Sequence, residues 1–329
     1  MELISVYPNF ANKGGAQNVV LQISKAFSGT NGIVLTNTAL TKVVEDYKGS
    51  AEYRDFSLQN VYRLYKENPS RVFLSHHRKC TTKLMLIKWL FARRLKIVHV
   101  AHSTFNTLKL LSFFPKNIIA ISSAVRENLL GYFKVKESNI TLIYNGVPDI
   151  VNNNHRKTND IIKVILPGRI CSVKRQVEIV KQTKDRIDEN VQIYFAGVGD
   201  DELALKNAIG NSSQYHYLGQ IPIFDELQNY DYVCLFSEKE GLPLSLIEGL
   251  MFGKPLITND IPGVLDVNIK NVTGFVCESY DMLINCLNSL PSREAPEYDK
   301  MSKNARKRYE ALFTEEKMII KYKKLLSKL

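Results

Sequence analysis

Two acids, Glu240 and Glu248, sit at the heart of the run Ser237-Glu238-Lys239-Glu240-Gly241-Leu242-Pro243-Leu244-Ser245-Leu246-Ile247-Glu248. The preceding stretch Tyr232–Phe236 reads as a buried strand, and a helix is expected to begin around Pro243–Ser245. The loop between them then lies at the carboxyl end of a strand, where α/β folds bind ligands. Amides at Gly241, Leu244 and Ser245, reinforced by the helix dipole, suit a phosphate. A second reading stays open. Ser245 and Glu248 have the spacing of a capping box, in which Glu248 closes its own helix, and Glu240 could be a solvated loop acid.

A second cationic segment, Leu166-Pro167-Gly168-Arg169-Ile170-Cys171-Ser172-Val173-Lys174, also follows a predicted strand. The guanidinium fork of Arg169 and the point charge of Lys174 suit two faces of a pyrophosphate. Gly197-Val198-Gly199-Asp200 gives another strand-to-helix turn, with Asp200 as a natural cap. It lacks the third glycine of the dinucleotide fingerprint, which excludes a dehydrogenase. Nearer the start, Gly14 and Gly15 separate the opening strand from a helix, where bare backbone can meet a phosphate or a sugar. His102 ends the apolar run Ile97–Ala101 and can offer a hydrogen bond to a sugar hydroxyl. His76, His77 and His99 compete with it, and a structural role is the default for each. No HExxH and no ligand-spaced His/Asp cluster occurs, so no metal site is expected.

These residues need a scaffold, and the chain supplies a regular one. Short β-branched runs alternate with helical patterns throughout, as in parallel sheets covered by helices. Strands are expected near Leu3–Tyr7, Val72–Ser75, Ile97–Ala101, Ile118–Ile121, Thr141–Ile143, Ile161–Leu166, Gln192–Ala196, Tyr232–Phe236 and Pro255–Thr258. Helices are expected at Gln17–Phe27, Lys83–Phe91, Ala124–Leu130 and Glu315–Lys328. The asparagine-rich stretch 151–160 lacks apolar periodicity and reads as a linker. It would separate a first domain, 1–150, from a second, 161–312, with the last helix, 313–329, packing back on the first. The expected fold class is α/β, two doubly wound Rossmann-like domains facing each other across a cleft.

The chain has 329 residues, 45% of them hydrophobic and 23% charged, a composition that excludes disorder and fibrous repeats. Its net charge of +11 is unevenly placed: residues 1–150 hold 20 of the 44 Lys and Arg but only 9 of the 33 Asp and Glu. The remainder of the chain is neutral, so the first half is the one expected to face an anionic partner. Five cysteines without a CxxC pair read as small buried hydrophobes in a reducing compartment. The opening Met1–Tyr7 is too short for a secretory signal, and no apolar run is long enough to span a bilayer. A cytoplasmic protein, peripheral at the inner face of the membrane, is expected.

In this order, these segments resemble the family-4 glycosyltransferases, retaining enzymes with the GT-B fold. The resemblance rests on Gly14-Gly15-Ala16, His102, Ile121-Ser122-Ser123-Ala124-Val125, Asn145-Gly146-Val147, Gly168-Arg169 with Lys174, Gly197-Val198-Gly199, and above all Glu240 with Glu248. It implies that Arg169 and Lys174 hold the donor diphosphate in place of a metal, and that Glu248 bonds the ribose hydroxyls. Glu240 and His102 would lie near the transferring sugar, with Gly14 and Gly15 over the phosphates. The expected reaction moves a sugar, with retention, from a nucleotide-diphosphate sugar to a glycan or lipid-linked acceptor in cell-surface polysaccharide biosynthesis. A UDP-sugar is expected in preference to a GDP-sugar, with no cofactor. Gln17, Asn259-Asp260 and Asp266 depart from the family's pattern and leave the acceptor open.

Lys83–Lys96 combines cations with the only tryptophan. It is expected to be mostly buried against the sheet, with Arg93, Arg94, Lys96, Arg78 and Lys79 able to touch anionic lipid. The alternatives are a sugar-nucleotide epimerase of the same fold and a non-catalytic glycan- or nucleic-acid-binding protein. A glycosidase would not need the Arg169/Lys174 pair. The absence of an aromatic–basic motif or helix-turn-helix argues against nucleic acid as a partner.

Overall fold

The computed structural model describes residues 2–28, 32–150 and 161–329. The expected linker, 151–160, lies outside the described residues. The chain divides into two compact units, one of Met1–Asn145 with Glu316–Leu329, the other of Gly146–Glu315.

Unit 1 runs β1 (Leu3–Val6), α1 (Gly15–Ser28), β2 (Ile33–Thr36), β3 (Glu52–Asp55), α2 (Leu58–Glu67), β4 (Val72–Ser75), α3 (Arg78–Leu90), β5 (Lys96–Ala101), β6 (Asn117–Ala120), α4 (Ser123–Gly131) and β7 (Ile140–Leu142). Its strands form one parallel sheet in the order β3-β2-β1-β4-β5-β6-β7. Strands covered on both faces read as near-continuous apolar runs, buried along their length. Leu3–Val6, Ile33–Thr36 and Val72–Ser75 are indeed buried at every position. The edge strand β3, Glu-Tyr-Arg-Asp, is not, and charge there discourages pairing with another chain. Ser57 and Ser122 cap α2 and α4 by accepting from Asn60 and Val125 amides, at 3.2 Å each. Helix α3 starts at Arg78, well before the expected Lys83, because β4 ends at Ser75 and its exit turns at once into the helix.

Unit 2 runs β8 (Ile162–Pro167), α5 (Gln176–Thr183), β9 (Val191–Ala196), α6 (Glu202–Ile209), β10 (Tyr215–Gly219), α7 (Ile223–Glu226), β11 (Tyr232–Leu235), α8 (Leu244–Met251), β12 (Leu256–Asn259), β13 (Gly274–Cys277), α9 (Tyr280–Asn288) and α10 (Pro296–Leu312). The parallel order is β10-β9-β8-β11-β12-β13. Its core gathers Val164, Phe195, Tyr232, Ile257 and Leu283. The cap of α6 is Asp201, without a side-chain bond, and not Asp200 as expected. Helix α11 (Glu315–Leu326) follows, and from Glu316 onward the chain belongs to unit 1.

The division falls at Asn145/Gly146, ahead of the expected 150, for a visible reason. Val147 donates to Phe313 O and accepts from the Glu315 amide, both at 3.0 Å, so entry to unit 2 is hydrogen-bonded to its exit. A Cβ on Gly146 would stand 2.4 Å from Thr314 O. The five cysteines form no disulfide, and Cys80, Cys171, Cys234 and Cys277 are buried. Among the described residues no helix is long and apolar enough to cross a membrane.

Candidate functional site

Strand order in unit 2 reverses between β8 and β11, and the loops leaving their carboxyl ends must part there to opposite faces of the sheet. Such a point opens a crevice in a doubly wound sheet. The loop after β8 carries Arg169 and Lys174; the loop after β11 carries Glu240 and Gly241 and leads into α8. Lys174 Nζ meets Glu240 Oε1 at 2.6 Å, with both side chains mostly covered, 22% and 11% exposed. A second tie, from the Glu238 amide to Val173 O at 2.8 Å, draws the same loops together. Arg169 is exposed, and its guanidinium meets no acceptor among the described residues.

Helix α8 is apolar and sits so close to the sheet that a Cβ on Gly249 would lie 2.9 Å from Val233 Cγ2. Its N-cap is Pro243, with no side-chain cap bond. Ser245 therefore lies inside the first turn, and the capping-box reading of Ser245 with Glu248 does not hold. Leu246 and Ile247 amides turn back to Pro243 O, leaving Leu244 and Ser245 amides without an acceptor among the described residues. Glu248, the only charged residue of α8, is partly buried and meets no hydrogen-bond donor or cation there. Burial alone pushes its carboxyl up to about 7. An acid held in this way gains from any ligand that brings hydroxyl donors.

The glycines serve the loops themselves. Gly197, at φ +142°, would place a Cβ 2.0 Å from Gly168 O; for Gly199 the contact would be 2.1 Å from Ile170 O. Gly263, at φ +86°, presses on Gly241 O, at 2.6 Å from its would-be Cβ. At Gly197, Gly199 and Gly263 backbone thus meets backbone, which binds each loop to its neighbour. Two residues that sequence reasoning did not place in the site complete it. Buried Gln176 donates to Arg169 O at 2.9 Å and accepts from Cys171 N at 3.4 Å. Asn259 exchanges two bonds with the Ser237 backbone, at 3.1 and 2.6 Å. Asn259 was visible in the sequence only as a departure from a family pattern.

Unit 1 has its own reversal, between β1 and β4. A cavity of about 120 Å³ lies at the carboxyl ends of β1, β4 and β5, lined by His76, His77, His99 and His102, with Arg78 beside them. Phe105, Phe114 and Phe133 form its apolar wall, and Ala16 brings the Gly14-Gly15 turn to its edge. That turn is held by Tyr47, whose hydroxyl accepts from Gly14 N at 3.1 Å and donates to Asn18 Oδ1 at 2.8 Å. Gln17 donates to Asn9 O and Asn12 O, each at 3.2 Å, securing the same loop.

The histidines are held neutral. Burial lowers His102 to about 4 and His99 to about 3, and it drives His76 well below its usual value. His76 Nδ1 and His102 Nε2 share a proton position at 3.0 Å, and their rings stack at 5.3 Å. His99 is tied to Thr81 at 2.7 Å, which makes it a structural histidine. His102 is thereby left with Nδ1 as the nitrogen it can offer outward. No acid lines the cavity. Among the described residues no three His, Cys, Asp or Glu converge as a ligand set.

Comparison with known proteins divides along the same line as the fold. Glycosyltransferase Family 4 matches residues 37–149, and Glycosyl transferases group 1 matches residues 148–308. The chain is 24% identical over 276 residues to the O-antigen biosynthesis glycosyltransferase WbnH of Escherichia coli, covering 77% of this chain and 80% of that protein. It is 26% identical over 196 residues to the capsular polysaccharide biosynthesis glycosyltransferase CapM of Staphylococcus aureus, covering 53% and 51%. Among solved structures, Anabaena Alr3699/HepE in complex with UDP-glucose superposes with a TM-score of 0.85 at 16% identity over the whole of both chains. At that identity the likeness is one of fold: two parallel-sheet Rossmann-like halves.

Proposed function

Since the chain belongs to the family-4 glycosyltransferases, whose two models together run from residue 37 to residue 308, we propose that it transfers a sugar from UDP to a glycan or lipid-linked acceptor. The observation that carries this reading is the Lys174–Glu240 pair at the reversal point of unit 2. It stands in one loop system with the unpartnered Arg169 guanidinium and the open amides of Leu244 and Ser245. Guanidinium, ammonium and amides together suit a diphosphate whose charge grows as the sugar departs. Glu248 supplies acceptor oxygens for ribose hydroxyls. The UDP-glucose in HepE and the polysaccharide roles in the names of WbnH and CapM support the donor and acceptor classes.

Transfer proceeds with retention and without a metal. The bond from the anomeric carbon to the diphosphate breaks, and the acceptor oxygen bonds the same face of that carbon. The acceptor proton passes to a leaving phosphate oxygen, so no protein nucleophile is required. Neutral His102 donates a hydrogen bond to the donor sugar through Nδ1. An anionic membrane surface is where a lipid-linked acceptor would be met.

Calorimetry with UDP tests the donor assignment. Arg169→Ala and Lys174→Ala are each expected to weaken binding about tenfold or more, and unchanged affinity would sink it. Nuclear magnetic resonance of the product reads the anomer, and turnover in a chelator reads metal dependence. An inverted product or strict loss of turnover would overturn the corresponding claim. Donor isomerisation without acceptor would instead establish the epimerase.

A further inference from the structure

Between Asn68 and Arg126 the chain has eleven Lys and Arg and no Asp or Glu, which accounts for the whole net charge of +11. The fold builds this stretch into β4, α3, β5, β6 and the start of α4, all in unit 1. Some of its cations are consumed internally: Arg71 pairs with Glu2 and Glu67, Arg126 with Glu137, and Arg78 bonds Thr107 O. Arg93, Arg94 and Lys116 are exposed and have no ion pair among the described residues, and exposed Lys109 has only the Tyr132 ring near it.

The same stretch exposes large apolar side chains, and the fold gathers them. Leu84, Met85 and Ile87 pack α3 on the sheet, while Leu86, Trp89, Leu90 and then Phe91 are left outside. That corrects the expectation that most of this helix is buried. Beside it runs the connection from β5 to β6. Thr82 Oγ1 donates to Leu111 O and accepts from Phe113 N, each at 3.2 Å, and Trp89 meets Phe113 edge-on at 5.2 Å. These contacts align residues 108–113 with the outer face of α3. Leu110 is 88% exposed, Leu90 70% and Leu111 65%. Leu108 adopts a left-handed φ of +55°, unusual for leucine, at the bend that presents them.

We propose that this two-element face, the outer side of α3 with the Leu108–Leu111 bend, docks unit 1 on an anionic lipid bilayer. Large apolar side chains gathered on one exposed face mark a partner site. Its rim of Arg93, Arg94, Lys109 and Lys116, set in a stretch without a single acid, matches anionic headgroups, and tryptophan with long cations suits the interface. The connection from β5 to β6 also supplies His102, Phe105 and Phe114 to the cavity. One loop therefore touches both bilayer and cavity, and an acceptor anchored in the bilayer is presented to the cavity along it. The docking stands on the surface alone; this last step rests on the transferase reading.

The test is co-sedimentation of the full chain with phosphatidylglycerol–phosphatidylcholine vesicles, against phosphatidylcholine alone, at low and high salt. Binding is expected on the anionic vesicles and should fall with salt. The double variant Leu110→Glu/Leu111→Glu is expected to lose at least about tenfold in partitioning. Arg93→Gln/Arg94→Gln should lose about fivefold per charge removed. These four side chains are exposed, so the variants should fold, and unchanged circular dichroism checks this. Absence of binding to anionic vesicles, or equal binding by the variants, overturns the docking face. The leucine variant should retain transfer to a water-soluble acceptor and lose it on a vesicle-embedded one; equal loss on both overturns the presentation step. Vesicle binding by a chain that transfers to neither acceptor would overturn the transferase reading and leave the docking intact.

Discussion

At the reversal point of unit 2, between β8 and β11, the loops are joined by opposite charges, Lys174 to Glu240. At that of unit 1, between β1 and β4, neutral histidines stand in an aromatic cavity without an acid. The topology is the same; the chemistry is divided. Unit 2, Gly146–Glu315, holds 19 Lys and Arg against 24 Asp and Glu, yet it sets a cation and an acid together at its reversal point. Unit 1 carries the excess of cations, yet keeps them off its cavity wall except for Arg78, which is spent on Thr107 O and stacked against Phe105 at 4.5 Å. A charged site stabilises developing charge, whereas a neutral one orients hydroxyl groups without capturing the diphosphate. Similar doubly wound sheets thus hold different chemistry at their reversal points.

Removing the charge from unit 2 should do the most damage. Lys174→Ala is expected to lower kcat about 10³-fold, because it removes the cation proposed for the diphosphate and leaves Glu240 partly buried and unpaired. Glu240→Gln should lose less. If Lys174→Ala proves milder than any substitution in the histidine cavity, the division of labour is wrong. Next in size is His102→Ala, expected to lower kcat about 10²-fold with UDP affinity unchanged. Calorimetry beside steady-state kinetics separates the two, and weakened UDP binding by His102→Ala would erase the contrast.

The unequal legibility of the two sites has a physical source. In unit 2 the chemistry lies in short runs: one loop carries Arg169 and Lys174, another Glu240 through Glu248, and strand–loop–helix alternation places both. The strands Val72–Ser75, Tyr232–Leu235 and Val191–Ala196 were legible for a like reason, being mostly apolar and bounded by loops. Edge strand β3 was not, since Glu-Tyr-Arg-Asp carries no core signal and is a strand only through its pairing with β2. Nor could Ser245 and Glu248 be separated from a capping box by spacing, because Pro243 takes the cap through backbone geometry. The His76–His102 pair joins residues 26 apart, and only the adjacency of β4 and β5 makes it. The Asn259–Ser237 link, across 22 residues, is of that kind too, while the Gln176 bonds and the Leu108 bend are local but follow no sequence pattern.

Glu248→Gln sharpens the contrast at a smaller scale. Its carboxyl is raised to about 7, so in the free protein ionisation is resisted near neutral pH. On the proposed reading, ribose hydroxyls donate to the carboxylate and would lower the pKa in the complex. UDP affinity should therefore rise with pH through the window up to about 7 and level off above it, with proton release on binding near pH 6–7. Gln keeps one acceptor, so affinity should fall about tenfold and lose this pH dependence. The folded chain should gain on the order of 1–2 kcal/mol at pH 8, where the wild-type acid is ionised without a partner. Calorimetry in buffers of different ionisation enthalpy, with thermal melts at pH 5 and 8, checks both. A wild-type affinity that is flat from pH 5 to 8 would remove Glu248 from the ribose.

The smallest expected effect tests how the neutral site is built. His76 is buried, stacked on His102, and bonded to its Nε2 at 3.0 Å, with its own Nε2 buried and unpartnered among the described residues. With its Nδ1 protonated, His76 donates to His102 Nε2 and fixes the tautomer in which His102 Nδ1–H points outward. The reverse tautomer would bury an unpaired His76 N–H, which costs more than an unpaired acceptor in contact with hydrocarbon edges. His76→Phe keeps the stack but frees the His102 tautomer. We expect a several-fold loss in kcat, little change in KM, and a His102 titration moved up from about 4. Because His76 acts through His102, the two substitutions should not add: His76→Phe in a His102→Ala background should cost almost nothing further. Full additivity would make His76 a packing residue, and the cavity in unit 1 would then owe its neutrality to burial alone.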